Sequence, residues 1–352
     1  MKDLVMSKTS QTILMSLLTI TVFLSGVLLG TPKAVSGEVN IYSHRKPYLL
    51  EPFLKEFTKK TKIKTNVVFA SKGLAQRLQS EGAASPADVV LTVDISRLMQ
   101  YADRGLFQPF ISKVLRSAVP KHLRSHDDTW YGFSKRSRVI AVSKILENSD
   151  EIKRFEDLSD AKWSGKICSR PGSHVYNRAL LSSIIAANGN EAAFAWAKGL
   201  VENFARSPRG NDRSQIKAIF SGECAIALVN HYYYGKLINS EDLAHRKWAE
   251  SVNIIIPNQG PADRGAHINI SGGGIAKHAK NLKEAKQFME FLVSKEAQEL
   301  YASINYEYPV ITGVDLPDTL TAWGEFTEDQ VPIETLAELS GDAQKIIDKV
   351  TW

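Results

Sequence analysis

The chain has 352 residues, of which 43% are apolar and 23% charged, enough for about two domains and too apolar for a disordered polymer. Its 44 Lys and Arg against 38 Asp and Glu leave a net charge of +6, spread without any block of five like charges. That pattern excludes a basic nucleic-acid arm, and the lack of internal repeats excludes a solenoid.

The chain opens with Lys2 and Lys8 around a polar start, then runs uncharged from Thr12 to Gly30, dominated by Ile13, Leu14, Leu17, Leu18, Ile20, Val22, Phe23 and Leu24. Ala34 and Ser36 supply the small residues of a signal-peptidase site. Residues 1–36 therefore read as a secretory signal, with an uncleaved membrane anchor as the alternative. No Cys lies near the cleavage point to carry a lipid. Nothing after Gly37 is long and apolar enough to span a bilayer.

Beyond the signal, strand and helix alternate. Glu38–Tyr42 reads as a strand with Val39 and Ile41 on one face. Leu49–Lys60 reads as a helix with Leu50, Phe53, Leu54 and Phe57 at helical spacing, Pro52 being tolerable only in its first turn. Strands are expected at Ile63–Ala70 and Asp88–Thr92, helices at Leu74–Glu81 and Ile95–Asp103. This order implies a mostly parallel sheet covered by helices. A second series follows: a strand at Arg138–Val142, a turn and strand at Trp163–Ile167, helices at Tyr176–Ala187 and Glu191–Asn203, and strands at Ala225–Val229 and Val252–Ile256. A last strand, Ala266–Ile270, leads into Gly272-Gly273-Gly274, read as a tight turn before a long helix, Asn281–Ser303. Two α/β lobes result, with ligands expected where strand ends face a cleft. Cys168 and Cys224 lie in strand-like runs; a disulfide and two buried thiols both remain open.

His231-Tyr232-Tyr233-Tyr234 follows a strand, and Tyr176 opens a helix after another strand-end loop, so phenols from two segments are expected in one cleft. Phenolate is a hard oxygen donor with a free pKa of about 10, so it binds well only a strong Lewis acid. Three phenolates also cancel a 3+ charge. Zinc would favour His and Cys, calcium carboxylates. The tyrosine set points to ferric iron, Fe3+. Arg136 and Arg138, two apart, are expected on opposite faces of an extended segment, one pointing into the cleft and the other serving a structural role. Arg136 and Arg45 are candidates to hold a small anion such as carbonate bidentately. The glycine run lacks the spacing of a phosphate loop, and no paired zinc-binding histidines or hydrolase nucleophile elbow is present.

Seven stretches, Ile41–Pro47, Ser85–Asp94, Arg136–Val139, Ser173–Asn177, Asn230–Gly235, Arg264–Gly272 and Asn305–Val310, together resemble the periplasmic ferric-ion-binding proteins of bacterial ABC importers. The resemblance covers nearly all of the chain after the signal. It implies a two-lobed periplasmic-binding-protein fold of type II, each lobe a mixed sheet flanked by helices, with hinge strands crossing near Lys135 and Asp263. Residues 37–135 and 265–309 would form the N-terminal lobe, and 136–264 and 310–352 the C-terminal lobe. It implies a non-enzymatic, monomeric carrier in the periplasm that delivers iron to an inner-membrane ABC permease. Tyr176, Tyr232 and Tyr233 match the family's metal ligands, Arg136 its anion-holding or neighbouring arginine, and Tyr234 packs beyond the pair. The sequence departs from the family at Lys46, Pro47 and Val93, where some members place first-lobe ligands; His44 and Tyr48 are the nearby substitutes. It thus resembles the three-tyrosine subgroup that completes the shell with carbonate or water. A binding protein for another small anion or cofactor is the alternative, and an exported hydrolase or transferase lacks a recognisable nucleophile–base pair.

Overall fold

The computed structural model describes residues 37–352, so the expected signal segment lies outside the described residues. Ten strands share one sheet: β1 (Glu38–Ser43), β2 (Lys64–Phe69), β3 (Val89–Thr92), β4 (Phe107–Gln108), β5 (Tyr131–Ser143), β6 (Ile167–Cys168), β7 (Ile226–Asn230), β8 (Val252–Ile255), β9 (Ile268–Ala276) and β10 (Tyr308–Pro309). The backbone order is β2-β1-β3-β9-β5-β7-β6. Only β1–β2, β1–β3 and β6–β7 run parallel. The expected mostly parallel sheet is therefore corrected to a mixed one, because β5 and β9 enter against their neighbours.

Strand β5 makes the whole sheet continuous. Its first half pairs with β9 through Tyr131–Ser137, and its second half pairs with β7 and β8. Sequence reading saw only its second half, because Ser134-Lys135-Arg136-Ser137 looks like a polar linker. Beyond the crossing, β5 and β7 alternate strictly. Ile140, Val142, Ile226 and Leu228 enter one apolar cluster, while Val139, Ala141, Ala227 and Val229 enter another on the opposite face. Burial on both faces explains the near-continuous apolar runs. The first core, the largest of the three, gathers Val39, Ile41, Phe53, Phe57, Leu98 and Phe288 around β1, β3 and β9. The stretch after 309 divides: Val310, Ile333 and Leu336 join this first core, whereas Ile346, Ile347 and Trp352 join the second-lobe core.

Three local readings change. The first helix spans Pro47–Thr61, so Pro47 takes the opening turn and Pro52 falls inside the helix, one turn later than expected. The two helices expected after Tyr176 are both present within Val175–Glu202, separated where Gly189 leaves the helical conformation at φ 79°. The long helix after 281 is two, Leu282–Phe291 and Lys295–Ser303. Gly272-Gly273-Gly274 is no turn at all; it lies inside β9, fully buried between β3 and β5. A Cβ on Gly272 would sit 2.6 Å from the Tyr131 carbonyl oxygen, one on Gly274 2.5 Å from that of Thr129, and one on Gly273 would collide with that of Val90.

Cys168 and Cys224 form a disulfide, joining the end of β6 to the approach of β7. Among the described residues no helix is long and apolar enough to cross a membrane.

Because Val90 is backbone in a central strand and cannot yield, Gly273→Ala is expected to destabilise the protein by about 1–3 kcal/mol or more, as overpacking does. Urea unfolding should show the loss as a lowered midpoint at unchanged slope.

Candidate metal centre

The tyrosines reach one place from two strand ends. Loop 169–174 follows β6, and His174 caps the next helix by accepting the Tyr176 backbone N–H on Nδ1 at 3.3 Å. Asn230 ends β7 and caps the helix His231–Ile238, whose first turn carries Tyr232 and Tyr233. The Tyr232 hydroxyl donates to the Tyr176 hydroxyl oxygen at 3.1 Å, and the Tyr232 and Tyr233 ring centroids are 4.4 Å apart. Tyr234 turns away and packs beside Trp323 at 5.9 Å.

All three phenols line a cavity of about 290 Å³, with Arg45, Lys46, Tyr48, Val93 and Arg97 on the side of the first core. A larger open groove of about 850 Å³ lies between the Ser149–Asp157 stretch and β8. It holds none of the tyrosines, and its Arg154 and Asp263 are already paired at 2.6 Å. The smaller cavity is the candidate because its oxygen donors converge. Among the described residues no cluster of His, Cys, Asp and Glu is arranged to hold a metal ion.

One buried carboxylate fixes both tyrosine segments. Asp212 Oδ2 accepts the Asn230 backbone N–H at 2.8 Å and Arg138 Nη1 at 2.6 Å, while Oδ1 accepts Arg170 Nη1 at 2.9 Å. Arg138 also donates to Asn177 Oδ1, beside Tyr176, and Asn177 Nδ2 donates to the Ser169 hydroxyl and the Arg170 carbonyl. Burial works against ionisation of Asp212, but Arg138 and Arg170 outweigh it and hold the carboxyl below its usual range. Sequence reading missed this residue, since Gly210-Asn211-Asp212 resembles an ordinary helix start.

Arg136 and Arg138 do not point opposite ways as expected. Residues two apart on a strand share a face, and both guanidiniums stand over the Tyr176 ring, at 5.5 and 6.0 Å from its centroid, with Arg170 at 5.1 Å. Arg136 donates to the Val93 carbonyl and to Ser271 Oγ at 3.1 Å, with Asp94 3.6 Å away. Arg45 donates to Ser271 Oγ at 2.7 Å and Glu307 Oε2 at 2.9 Å. Both arginines thus reach the cavity with donors already engaged. Lys46, Arg97, Arg213 and Lys236 also line it, without an ion-pair partner among the described residues.

Burial, then the neighbouring phenols, pushes Tyr232 well above its ordinary value; burial and Tyr176 do the same to Tyr233. Burial and Arg97 lower His44 to about 4, and its Nε2 is hydrogen-bonded to the Tyr101 hydroxyl at 2.8 Å. Burial with Arg170 lowers His174 to about 3. Burial lowers Lys236 to about 8.

Fold and cavity together define a two-lobed binding protein of type II whose cleft is lined by phenols and cations. The chain belongs to the bacterial extracellular solute-binding protein family, whose pattern matches residues 53–328. It is similar to iron uptake protein A1 of Synechocystis sp. (strain ATCC 27184 / PCC 6803 / Kazusa), 44% identical over 316 residues, covering 90% of this chain and 87% of that protein. Its structure resembles a Trichodesmium protein in complex with iron and citrate ligands, at TM-score 0.85 and 43% identity, covering 90% of this chain and all of the other. It also resembles the apo ferric ion-binding protein A of Pasteurella haemolytica, at TM-score 0.84 and 42% identity, covering 90% and 98%.

Asp212→Ala should cost about 3–5 kcal/mol, because it strands two buried guanidiniums. The sign with pH follows from the lowered carboxyl: its contribution is present above the unfolded-state value of about 3.9 and is lost as pH falls through the folded one. Acid titration of stability, followed by circular dichroism, should therefore fall more steeply below about pH 4 in the parent than in the variant.

Proposed function

We propose that the chain binds ferric iron in this cavity through the phenolates of Tyr176, Tyr232 and Tyr233, and carries it as cargo rather than transforming it. The convergence of three phenols, with Tyr232 and Tyr176 hydroxyls 3.1 Å apart, carries the reading. With Tyr232 and Tyr233 raised above their ordinary value, the site discriminates by Lewis acidity, since only a strongly polarising cation displaces their protons. The resulting neutral core tolerates burial. The names of the similar proteins, iron uptake and ferric ion-binding, point the same way.

Three phenolates leave part of a six-coordinate shell open. Carbonate or another anion fills it, held by the cations of the cavity. The role expected for Arg136 and Arg45 is then shared with Lys46, Arg97, Arg213 and Lys236, whose charges are not spent on internal pairs. The N-terminal segment exports the chain to the periplasm, and the loaded, closed protein, a monomer, delivers iron to an inner-membrane ABC permease. The same four cations favour, as a second reading, a carrier for an anionic chelate or another small anion.

Phenolate-to-iron charge transfer should give a broad visible band at one iron per chain. Tyr233→Phe should weaken binding by several kcal/mol, on the order expected for losing a charge-bearing ligand. Normal titration by all three single Phe variants would refute the assignment. Because Tyr232 and Tyr233 start protonated, iron uptake at neutral pH should release protons measurable by pH-stat, and acidification should bleach the band. Leaving bicarbonate out of a buffer free of other chelating anions should lower affinity; equal affinity would assign the open positions to water or His44.

A further inference from the structure

Glu307 is 6% exposed yet lines the cavity, and it is the only carboxylate among the described residues that does so. Its placement is firmly set. Tyr306, just before it, holds a left-handed backbone with φ 55°, uncommon for an aromatic residue. That ring lies where a Cβ on Gly235 would meet it at 2.9 Å. The carboxylate spans the crossing strands, but its contacts are one-sided. Arg45 Nη2 at 2.9 Å, Ser271 Oγ at 3.2 Å and Ser134 Oγ all donate to Oε2. Oε1 has no hydrogen-bond partner among the described residues, while the residue lines the cavity. Burial alone would raise this group, but Arg45 outweighs it and lowers the carboxyl to about 2.

An ionised carboxylate only accepts hydrogen bonds. A water or hydrogencarbonate on a trivalent cation has a strongly polarised O–H, the natural donor to such an oxygen. We propose that Glu307 is a further residue of the cargo site, its Oε1 accepting a hydrogen bond from a protonated oxygen bound to the ferric ion. This rests on the ferric reading above. It gives the cavity a preference that its cations alone would not: the coordination position facing Glu307 selects a hydroxylic ligand and repels an acceptor-only dianion, which is left to the positions facing the cations.

Glu307→Gln tests this. The three donors on Oε2 should keep the amide oxygen, turning the amide NH2 toward the cavity and replacing an acceptor by a donor. Iron titrations followed by the visible band would be run without bicarbonate, with bicarbonate, and with one equivalent of oxalate per iron. The variant should bind about tenfold more weakly than the parent where the hydroxylic ligand operates, the usual scale for a charge-assisted hydrogen bond, and more tightly than the parent with oxalate. A loss in both of the first two conditions assigns water; a loss confined to bicarbonate assigns hydrogencarbonate. An equal loss in all three conditions with a lowered melting temperature would overturn the proposal in favour of a purely structural ion pair, as would no change. If the single variant fails to fold for want of a partner to Arg45, the double variant Arg45→Met, Glu307→Gln removes both charges and must still show the reversed oxalate preference. Tyr233→Phe separates the two levels. If it keeps iron, the ferric reading fails; if it loses iron while Glu307→Gln shows no reversal, only the role of Glu307 fails.

Discussion

The arrangement of phenols depends on a single carboxylate sealed between two guanidiniums. Asp212 reaches Asn230 on one tyrosine segment and, through Arg138 and Arg170, Asn177 and the 169–174 loop on the other. A buried ion pair of this kind seldom adds much stability over an apolar replacement. Its use here is geometric: β6 and β7 are neighbours in the sheet, but the loop and helix start that leave them would otherwise be free to diverge. The disulfide ties the same two segments at their base.

Charge is layered around that point. The innermost groups are the three phenols, and burial pushes Tyr232 and Tyr233 above their ordinary value. Arginines already engaged with backbone and carboxylates surround them. Lysines and arginines without an ion-pair partner among the described residues complete the lining. The neighbouring imidazoles stay neutral because burial strips their solvation, and they add no positive charge. Such a site suits a metal that arrives with an anion better than a bare divalent cation.

Elements governed by local periodicity were legible in the sequence: the helix Leu74–Glu81 and the strands around Val39 and Val89 fall where apolar spacing puts them. So was the meeting of the tyrosines, since adjacency after one strand and position after another confine them to the same end of a sheet. What escaped depends on distant partners. Asp212 and Arg138 are 74 residues apart, Arg45 and Glu307 262, and neither acid carries a local sign of its role. β5 was half hidden because its crossing segment is polar for tertiary reasons: Ser134, Arg136 and Ser137 are buried and hydrogen-bonded across the hinge.

The glycine run of β9 lies outside the phenol-lined cavity, yet three backbone oxygens, from β3, from β5 and from the bend before β5, occupy the space its side chains would need. Every coding change at these positions adds at least one carbon, so selection on this tripeptide should be as severe as on the tyrosines. A comparison of relatives by invariance alone would rank the strand beside the three tyrosines. The two constraints differ in kind, because one protects a cavity of converging phenols and the other only the closeness of neighbouring strands.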